Sequence, residues 1–368
     1  MVLEKDPRTK SGMRPCAFNP SGKHSGLRRD CHLSVLKEFH GRNGTAPKLG
    51  ICITMYNEKE IELKTTMKGV MQNFKAMQLD PTVNLKQAEV VVVLVCDGFE
   101  KIPESFKNFA TEKGLFDENI LRDKGFMTEN PDGSFRMKTM EECMDDGAPV
   151  PKNLLHMFQT TTMDFGHEDP ELRDYKINFV FALKQKNDGK ICSHSQFFRG
   201  VCEFLQPELT LMLDIGTRPD DYAIAKLYKY MINNKKCGGC CGEIEVDFTG
   251  NEHLSWTHFV LQAQYYEYKL GHSPDKCCEG FFGYITVLPG AYSMYRLEAV
   301  QGSPLKKFFK GVDGDDDATC GEANEYLAED RVMGLQVYLK EDAGYYHTYI
   351  CDAKAFTDAP ETLHVLMK

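Results

Sequence analysis

The sequence lacks a long apolar run, a basic surplus and a leader peptide, and each absence narrows the classes of protein that fit it. No stretch approaches the ~20 apolar residues that a membrane-spanning helix needs. The net charge of −10 argues against a general nucleic-acid binder, because no basic surplus exists to neutralise phosphates. No signal peptide opens the chain, so we expect a soluble protein in a reducing, cytosolic setting.

Several catalytic motifs are also missing. The sequence has no P-loop, no GxGxxG between a strand and a helix, no HExxH and no GxSxG. The acidic stretch with Asp313, Asp315 and Asp317 resembles the start of a calcium loop. Ala318 and Asn324 stand where that loop needs glycine and glutamate, so a solvated acidic loop is the better interpretation.

Fourteen cysteines raise the question of zinc or disulfides. Cys237, Cys240 and Cys241 form a CxxCC cluster, and Cys277-Cys278 could supply further ligands. Other cysteines stand in or beside apolar segments, where zinc knuckles are rare; these are Cys52, Cys96 and Cys192. Buried free thiols are therefore the favoured interpretation, with structural zinc as the alternative.

The size and composition predict a globular protein with one large domain or two ordinary ones. The 368 residues have a hydrophobic content of 42% and a charged content of 27%, which are normal values for this class. Residues 1–47 are rich in Gly, Pro, Lys and Arg and predict a flexible arm, so the folded domain spans 48–368. Residues 112–176 are polar and turn-rich, which indicates a surface insertion that tunes specificity.

From Leu49 onward, β-branched runs alternate with helical patterns. This alternation is typical of βαβ units, and it predicts an α/β fold with a mostly parallel central sheet flanked by helices. The continuously apolar run at 90–96 predicts a central strand that is covered on both faces. The predicted helices span residues 59–77, 193–205, 220–232 and 255–270, and a further strand begins at Phe281.

Four apolar runs end abruptly on polar residues. They are LGICITMYNE (49–58), VVVVLVCDG (90–98), INFVFALKQKNDGK (177–190) and LTLMLDIGTR (209–218). In parallel α/β sheets, ligands bind at the carboxyl ends of the strands. We therefore expect Asn57-Glu58 and Asp97-Gly98 to form the walls of a base-and-ribose pocket, since a carboxylate can accept a uracil-type N–H. An ordinary Asp-Gly turn is the alternative for Asp97 alone.

The third and fourth runs supply charges of opposite sign. Lys184, Lys186 and Lys190 could offer positive charge to a diphosphate, although a solvated loop is the preferred interpretation for Lys186. Asp214 ends the fourth run and is well placed to hold Mg²⁺ or Mn²⁺, which take oxygen ligands. The run continues as Ile-Gly, so it supplies a single acid where many nucleotide-sugar sites have two.

A late charged cluster, YLAEDRV, lies between Tyr326 and Val332. Transfer of a sugar to a hydroxyl needs one carboxylate that takes the acceptor proton. Glu329 and Asp330 suit that task, because one acid can act as base while Arg331 or a helix N-terminus holds the other. For an isolated cluster of this kind, a charged helix start would be the favoured alternative.

These segments, in this order, closely resemble the catalytic region of chitin synthases, which are processive family 2 glycosyltransferases of GT-A (Rossmann-like) fold. The matching stretches are ITMYNE, VCDG, LKQKNDGKICSH, LTLMLDIGTRPD, GGCCGEI, AQYYEYK, FGYITVLPGAYSMYR and YLAEDR. They cover roughly residues 49–360, and the FGYITVLPGAYSMYR and LDIGTRP matches are specific.

The resemblance implies inverting, metal-dependent transfer of N-acetylglucosamine from UDP-N-acetylglucosamine to a growing β-1,4-linked chitin chain. The implied donor-binding residues are Tyr56, Asn57, Glu58, Asp97 and Lys184. Asp214 is implied as the ligand of Mg²⁺ or Mn²⁺, and Asp330, beside Glu329, as the catalytic base. Residues implied to lie near the chitin oligosaccharide acceptor and the mouth of the polymer channel are Gly283, Leu288, Pro289 and Gly290.

The resemblance also implies a place at the cytosolic face of the plasma membrane, reached only through a carboxyl-terminal transmembrane region that would follow Lys368. A homodimer is a further expectation. Two departures from the family pattern are Ser195-Gln196 in place of Arg-Trp, and an end before a QRRRW-type motif whose tryptophan stacks on the acceptor sugar. We therefore expect donor binding more surely than polymerisation.

Two alternatives to a polymerising chitin synthase remain. One is a related family 2 glycosyltransferase that uses another UDP-sugar or a non-polymeric acceptor. The other is a catalytically silent UDP-sugar-binding remnant that acts as a regulatory partner of a full-length synthase. Calorimetry with the donor and a transfer assay would separate these readings, because a silent module binds the donor without transferring its sugar.

Overall fold

The computed structural model describes residues 16–18, 46–143, 153–163, 170–248, 259–309, 329–341, 343–360 and 364, and all structural statements concern these residues. Within these ranges, no helix combines the length and the apolar character that crossing a membrane requires. The acidic loop expected around Asp313 lies outside the described residues, as does most of the predicted arm.

Ten of the described strands form one sheet, and two more form a separate antiparallel hairpin. In chain order they are β1 (Cys16–Phe18), β2 (Leu49–Met55), β3 (Val90–Cys96), β4 (Met127–Glu129), β5 (Phe135–Met137), β6 (Leu155–Met163), β7 (Ile177–Lys184), β8 (Leu209–Asp214), β9 (Arg218–Pro219), β10 (Cys237–Val246), β11 (Tyr292–Arg296) and β12 (Tyr346–Thr357). The large sheet has the order β1-β6-β7-β3-β2-β8-β11-β10-β12-β9. The hairpin consists of β4 and β5.

The centre of the sheet is parallel because its strands are apolar, largely β-branched runs that need cover on both faces. β7, β3, β2 and β8 pair in parallel, and every side chain of β2, β3 and β7 is buried. Towards the edges the sheet is mixed, since β6 and β11 run antiparallel to their central neighbours. The predicted α/β class is therefore confirmed, with a core on each side of the sheet.

Helices pack on both faces of the sheet. They are α1 (Glu60–Leu79), α2 (Glu104–Glu112), α3 (Glu118–Asp123), α4 (Gly189–Ser195), α5 (Ala223–Asn233), α6 (Phe259–Leu270), α7 (Leu297–Val300), α8 (Ser303–Phe308) and α9 (Glu329–Tyr338). π-helical segments continue α4 (Gln196–Cys202) and α6 (Gly271–Lys276). Short α-helical turns then complete them, at Glu203–Leu205 and Cys277–Phe281. The four predicted helices are confirmed within the described residues, and positions 255–258 of the fourth lie outside them.

The interpretation of residues 112–176 as a surface insertion is wrong for part of that segment. β6 lies in the main sheet beside β7, and Phe116, Leu121 and Phe158 are buried in the core. Polar turns separate these apolar positions in the sequence, so no regular apolar pattern indicates that they belong to the core. The arm expected at 1–47 also contributes to the sheet, because β1 pairs with the start of β6.

The strand predicted to begin at Phe281 is wrong. Phe281 ends a helical segment, and the chain then turns at Gly283, which has a φ of +78° that extended backbone does not allow. Pro289 further on lacks the N–H that a strand ladder needs. The strand begins only at Tyr292, as β11.

The described cysteines differ in their burial, and Cys143 is half-buried. Cys52, Cys96 and Cys192 are buried free thiols, as predicted, and burial raises the pKa of the Cys192 thiol to about 11. Cys277 and Cys278 are exposed instead. Within the described ranges, no group of three or more histidine, cysteine or acidic side chains is arranged to hold a metal ion.

One close backbone contact fixes the parallel pairing of β10 with β12. The register shifts between Gly242 and Glu243: Gly242 is paired with Ile350, whereas Glu243 is paired with Lys354. A Cβ on Gly242 would lie 1.8 Å from the carbonyl oxygen of Ala353. Only glycine fits this position, because backbone atoms cannot move aside as a side chain can.

Candidate functional site

The register of the central strands brings their polar ends to one edge of the sheet. Met55 is paired with Cys96 and Cys96 with Leu183, while Thr54 is paired with Asp214. The polar segments that follow β2, β3, β7 and β8 therefore emerge side by side. This is the edge at which ligands bind in parallel α/β sheets, so the predicted meeting of these segments is confirmed.

The segment after β2 forms a tight turn that its own glutamate closes. Glu58 Oε2 accepts the backbone N–H of Tyr56 at 2.7 Å and that of Asn57 at 3.1 Å. Tyr56 is 40% exposed, and Asn57 is exposed as well. Glu58 thus holds the turn, while Tyr56 and Asn57 present their side chains to solvent at the ligand-binding edge.

Asp97 and Lys184 form a buried ion pair below this edge. Asp97 Oδ1 lies 2.6 Å from Lys184 Nζ, and the side chains are 7% and 0% exposed. Lys184 also donates hydrogen bonds to the Gly189 carbonyl at 2.9 Å and to Ser193 Oγ at 3.2 Å. With three partners and no exposure, Lys184 lies beneath the surface at this edge of the sheet and not on it. Its predicted donor role stays a prediction and would have to be indirect.

The Asp97-Gly98 pair joins the segments that follow β3 and β7. Asp97 Oδ1 accepts the N–H of Asp188 at 2.9 Å. Gly98 has a φ of +91°, and a Cβ there would lie 2.8 Å from the backbone nitrogen of Asn187. The pair is therefore more than an ordinary turn, because it contacts the loop that leads into α4, the helix that carries Lys190.

Asp214 stands at the end of β8 with both carboxylate oxygens engaged. Oδ1 accepts a hydrogen bond from Thr54 Oγ1 at 2.8 Å, and Oδ2 accepts one from Lys190 Nζ at 2.7 Å. The Lys190 and Asp214 side chains are 36% and 33% exposed. Mg²⁺ and Mn²⁺ take oxygen ligands, and Mg²⁺ often uses one carboxylate together with phosphates and water. Asp214 therefore fits one ligand of such an ion, if Lys190 gives way.

Asp330, the second residue of α9, faces the turn before β11. Its Oδ2 accepts the Gly290 N–H at 2.8 Å, and a Cβ on Gly290 would lie 2.7 Å from Oδ1. Burial raises the pKa of the Asp330 carboxyl, against the lowering effects of this N–H and of the Lys190 charge. A raised pKa brings an acid closer to the working pH of a general base. The Glu329 side chain lies outside the described residues.

The predicted acceptor residues occupy different environments. Gly283 is partly buried and its carbonyl accepts the His347 N–H at 2.8 Å, while Pro289 is partly buried next to Gly290. Leu288 is fully buried, and a Cβ on Gly239 would lie 2.8 Å from its side chain. Leu288 therefore packs in the core and supports the turn, and its expected place near the acceptor stays a prediction.

A network of four charges joins two motifs that have no assigned role. On β10, Glu243 and Glu245 each lie 2.6 Å from Lys269 of α6, and Glu245 also lies 2.6 Å from Lys354 of β12. Glu243 is 8% and Glu245 is 13% exposed. The GGCCGEI and AQYYEYK segments are thus held together next to the site by charge pairs that the spacing in the sequence does not reveal.

Two lysines at the site were underestimated by sequence reasoning. Lys190 is one of three lysines that the sequence offers to a diphosphate, and the structure distinguishes it by its contact with Asp214. Lys276 lies within electrostatic reach of Asp330 and was not singled out, because no motif surrounds it. Whether a lysine is buried depends on how distant segments pack against it. The apolar helix pattern before Lys276 is the only local feature of the sequence that indicates this burial.

The sequence matches the family model of the chitin synthase-like glycosyltransferase domain over residues 49–368. This chain belongs to that family. The match begins at the first residue of β2 and includes each strand end described above. Membership of the chitin synthase-like family therefore confirms the resemblance drawn from the motifs, while the roles of individual residues stay predictions.

Named chitin synthases are similar over most of the chain. Chitin synthase 2 of Mycosarcoma maydis is 32% identical over 330 residues, covering 86% of this chain and 28% of the relative. Chitin synthase 1 of Phytophthora sojae is 32% identical over 332 residues, covering 87% and 33%. Chitin synthase 1 of Saccharomyces cerevisiae is 32% identical over 327 residues, covering 85% and 27%. The chain spans about a third or less of the length of these relatives.

Among solved structures, the fold is similar to the mannosyltransferase PcManGT from Pyrobaculum calidifontis, in complex with GDP-Man and Mn²⁺. The TM-score is 0.43 and the sequence identity is 9%. The match covers 88% of this chain and 60% of the mannosyltransferase chain. This likeness is distant and says nothing about function. Family membership and the geometry of the strand ends are the observations that bear on function.

Proposed function

We propose that this chain transfers N-acetylglucosamine from UDP-N-acetylglucosamine to a growing β-1,4-linked chitin chain, with inversion at the anomeric carbon. The observation that carries the proposal is the position of Asp330. Its carboxylate is held by Gly290 and lies within electrostatic reach of Lys190 and Asp214 at the strand ends. A base and the charges that would anchor a donor thus share one site. The family supplies the sugar and the acceptor class.

The donor nucleoside would bind at the ends of β2 and β3. Tyr56 and Asn57 are exposed there on a turn that Glu58 closes. The contacts of Asp97 with Lys184 and Asp188 fall on Oδ1, which leaves Oδ2 for a uracil N–H. In this arrangement Lys184 pairs with Asp97 and orients it without touching the donor.

The diphosphate would lie between Lys190 and Asp214. The Lys190 ammonium is partly exposed and can turn from Asp214 towards a phosphate oxygen. A Mg²⁺ or Mn²⁺ ion held by Asp214 would add positive charge against the leaving diphosphate. The metal dependence is part of the proposal. It is supported by Asp214, whose carboxylate supplies oxygen ligands and whose side chain is partly exposed.

The chemical step would be a single displacement. Asp330 accepts the proton of the acceptor hydroxyl while that oxygen forms a bond to the anomeric carbon. The bond from this carbon to the diphosphate oxygen breaks, and its electron pair leaves with UDP. Attack opposite to the leaving group inverts the configuration. Asp330 suits the role because its pKa is raised and because Gly290 fixes one of its oxygens.

Isothermal titration calorimetry with UDP-N-acetylglucosamine tests the donor half of the proposal. We expect binding that is stronger with Mn²⁺ than without it, and Asp214→Asn should remove this difference. Asp352→Asn is the matched control, since Asp352 is 67% exposed and forms only a surface contact with Lys226. Well-folded protein that does not bind the donor would refute the donor assignment.

Transfer of labelled sugar to a chitin oligosaccharide tests the base. Asp330→Asn should lower the rate by about 10²- to 10⁴-fold, which is the usual contribution of a general base. The affinity for UDP should stay the same. Loss of UDP affinity would instead assign Asp330 to the donor. Donor binding without any transfer by the unaltered chain would favour a silent UDP-sugar-binding module. The membrane location and the homodimer stay predictions.

A further inference from the structure

The loop at residues 185–188 joins β7 to α4 and leads to Lys190 of the proposed diphosphate site. Lys186 and Asn187 of this loop are exposed and lie outside any helix or strand. A loop of this kind is not held by the hydrogen-bond ladder of a strand or helix, so other groups must bind its backbone if it is to keep one shape. The position of Lys190 therefore depends on the contacts of this loop.

Asn153 binds the backbone of the loop with both ends of its side-chain amide. Its Nδ2 donates to the Lys186 carbonyl at 3.0 Å, and its Oδ1 accepts the Lys186 N–H at 3.2 Å. Oδ1 also accepts the N–H of Leu154, the residue before β6, at 3.0 Å. Asn153 is only 1% exposed, so water cannot readily replace these hydrogen bonds.

Gln185 ties the start of the loop to the same part of the chain. Its Nε2 donates to the Lys138 carbonyl at 2.7 Å and to the Phe126 carbonyl at 3.3 Å, on either side of the hairpin of β4 and β5. Its Oε1 is hydrogen-bonded to Nε2 of His156 in β6. Through Gln185 and Asn153, the loop is thus bound to the segment between β3 and β7, which contains none of the strand-end motifs.

The other end of the loop contacts the donor half of the site. The Asp188 N–H is bound to Asp97 Oδ1 at 2.9 Å. Lys190, in the first turn of α4, donates to Asp214 at 2.7 Å. Only three residues separate Lys186 from Lys190 along the chain, so a shift of the Lys186 backbone moves the start of the helix that carries the Lys190 ammonium.

We infer that Asn153 is a positioning residue, which fixes the loop at 185–188 so that the Lys190 ammonium is held where the donor diphosphate would bind. The inference rests on the proposed function, in which Lys190 turns from Asp214 towards a phosphate oxygen. A charged group that is displaced by about an ångström loses much of its contact with the ligand. Asn153 would thus act on the donor through Lys190 and without touching it.

Calorimetric titrations with UDP and with uridine give the first test. Asn153→Ala should weaken UDP binding about tenfold, the size expected for two ordinary hydrogen bonds. Uridine binding should not change, because uridine lacks the phosphates that Lys190 would meet. In the background of Lys190→Met, Asn153→Ala should cause no further loss of UDP affinity. An equal loss in both backgrounds, or an equal loss for uridine, would overturn the inference.

Asn178→Ala is the matched control, because Asn178 also binds backbone with a buried amide, but at the opposite end of β7. Its Nδ2 donates to the Gln87 carbonyl at 2.7 Å and to the Val90 carbonyl at 3.0 Å. This variant should lower the melting temperature about as much as Asn153→Ala and leave the UDP affinity unchanged. If both variants weaken UDP binding equally, Asn153 has a general structural role and the inference is wrong.

Backbone hydrogen exchange in the free protein separates this inference from the proposed function. The Lys186 and Asp188 amides should exchange about tenfold faster in Asn153→Ala and at the original rate in Asn178→Ala. Unchanged exchange in Asn153→Ala refutes the inference even if the unaltered chain binds UDP. Absence of UDP binding by the folded, unaltered chain would instead refute the donor assignment, and with it the role of Lys190 that the inference requires. Asn153→Leu serves the same comparisons if the Ala variant does not fold.

Discussion

The proposed function divides the site into a donor half and an acceptor half, and the two differ in how their charged groups are paired. In the donor half, at the ends of β2, β3, β7 and β8, the charged groups are paired within the protein: Asp97 with Lys184, and Asp214 with Lys190. In the acceptor half, around the turn before β11 and the start of α9, Asp330 is held by one backbone N–H. The aromatic rings of Phe281 and Phe282 beside this half are 85% and 74% exposed.

This difference indicates which half is already arranged before its substrate binds. The buried pair of Asp97 and Lys184 holds its geometry without a ligand, whereas Lys190 would have to leave Asp214 when the proposed donor binds. The acceptor half contains a partly buried acid and exposed rings that a sugar chain could cover. Binding of the acceptor would therefore change the surroundings of Asp330 more than binding of the donor changes those of Asp97.

The largest effect should come from breaking the buried pair of the donor half. Lys184→Met leaves Asp97 buried without its cation, and we expect a loss of about 3–5 kcal/mol in the free energy of unfolding. Urea denaturation measures this loss. In the double variant with Asp97→Asn, most of it should be recovered, because no charge is then left unpaired. A single variant as stable as the unaltered chain would contradict the pairing.

The next largest effect should come from displacing the acid of the acceptor half. Gly290→Ala would place a Cβ 2.7 Å from Asp330 Oδ1, so the carboxylate must move. A misplacement of this size typically costs about 100-fold in rate, and donor affinity should not change. Transfer assays and calorimetry measure the two quantities. Gly271→Ala is the matched control, since no described atom beyond its chain neighbours and its own helix backbone lies within 4 Å of its added Cβ. Equal rates for both variants would contradict the placement of Asp330.

Acidification should weaken both halves to a similar extent, through one buried histidine in each. Burial lowers the pKa of His194, beside Lys190, to about 3, and that of His347 to about 4. Because these folded-state values lie below the ordinary value near 6.5, the stabilising contribution is complete above pH 6.5 and is lost as the pH falls. Each histidine should cost roughly 1.4 kcal/mol per pH unit in that range.

Urea denaturation at pH 7 and pH 5 can check this pH dependence. His194→Phe and His347→Phe should each reduce the difference in unfolding free energy between these conditions by about 2 kcal/mol. The stacking of His194 on Phe308 makes phenylalanine a close substitute there. If neither variant reduces the difference, the histidines are not held neutral in the folded protein.

The smallest effect should come from loosening Asp214 without removing it. Thr54→Val deletes the hydrogen bond of 2.8 Å to Asp214 Oδ1 and keeps the shape of the side chain. We expect a loss of about 1 kcal/mol in donor binding, which corresponds to roughly fivefold in Kd. Calorimetry with UDP-N-acetylglucosamine measures it. A change larger than that of Asp214→Asn would mean that Thr54 contacts the donor itself.

The sequence predicted the parallel centre of the sheet well because one physical signal, continuous apolar runs with polar ends, determines it. It also predicted that Asp97, Asp214 and Asp330 belong to one site, through the order of their motifs. The environment of each side chain could not be read in the same way. Lys184 and Leu288 stand in motifs that suggest ligand contact, yet both are fully buried.

Irregular segments were predicted least well. The run that begins at Phe281 is rich in aromatic and β-branched residues, as strands are, but the positive φ of Gly283 turns the chain. Residues 112–176 read as polar loops, and the pairing of β6 with β7 depends on contacts between distant parts of the chain. Pairing of this kind is decided by the whole sheet, and no short window of sequence contains it.

The close approach of Gly242 to the backbone of Ala353 also fixes the register of β12 on β10. A slip of one residue along β10 would turn every side chain of the slipped strand to the opposite face. Lys354 would then point away from Glu245, which it contacts at 2.6 Å. The absence of a side chain at Gly242 thus sets which face of β12 carries Lys354. Gly242→Ala would therefore change which charged side chains of β10 and β12 lie next to each other.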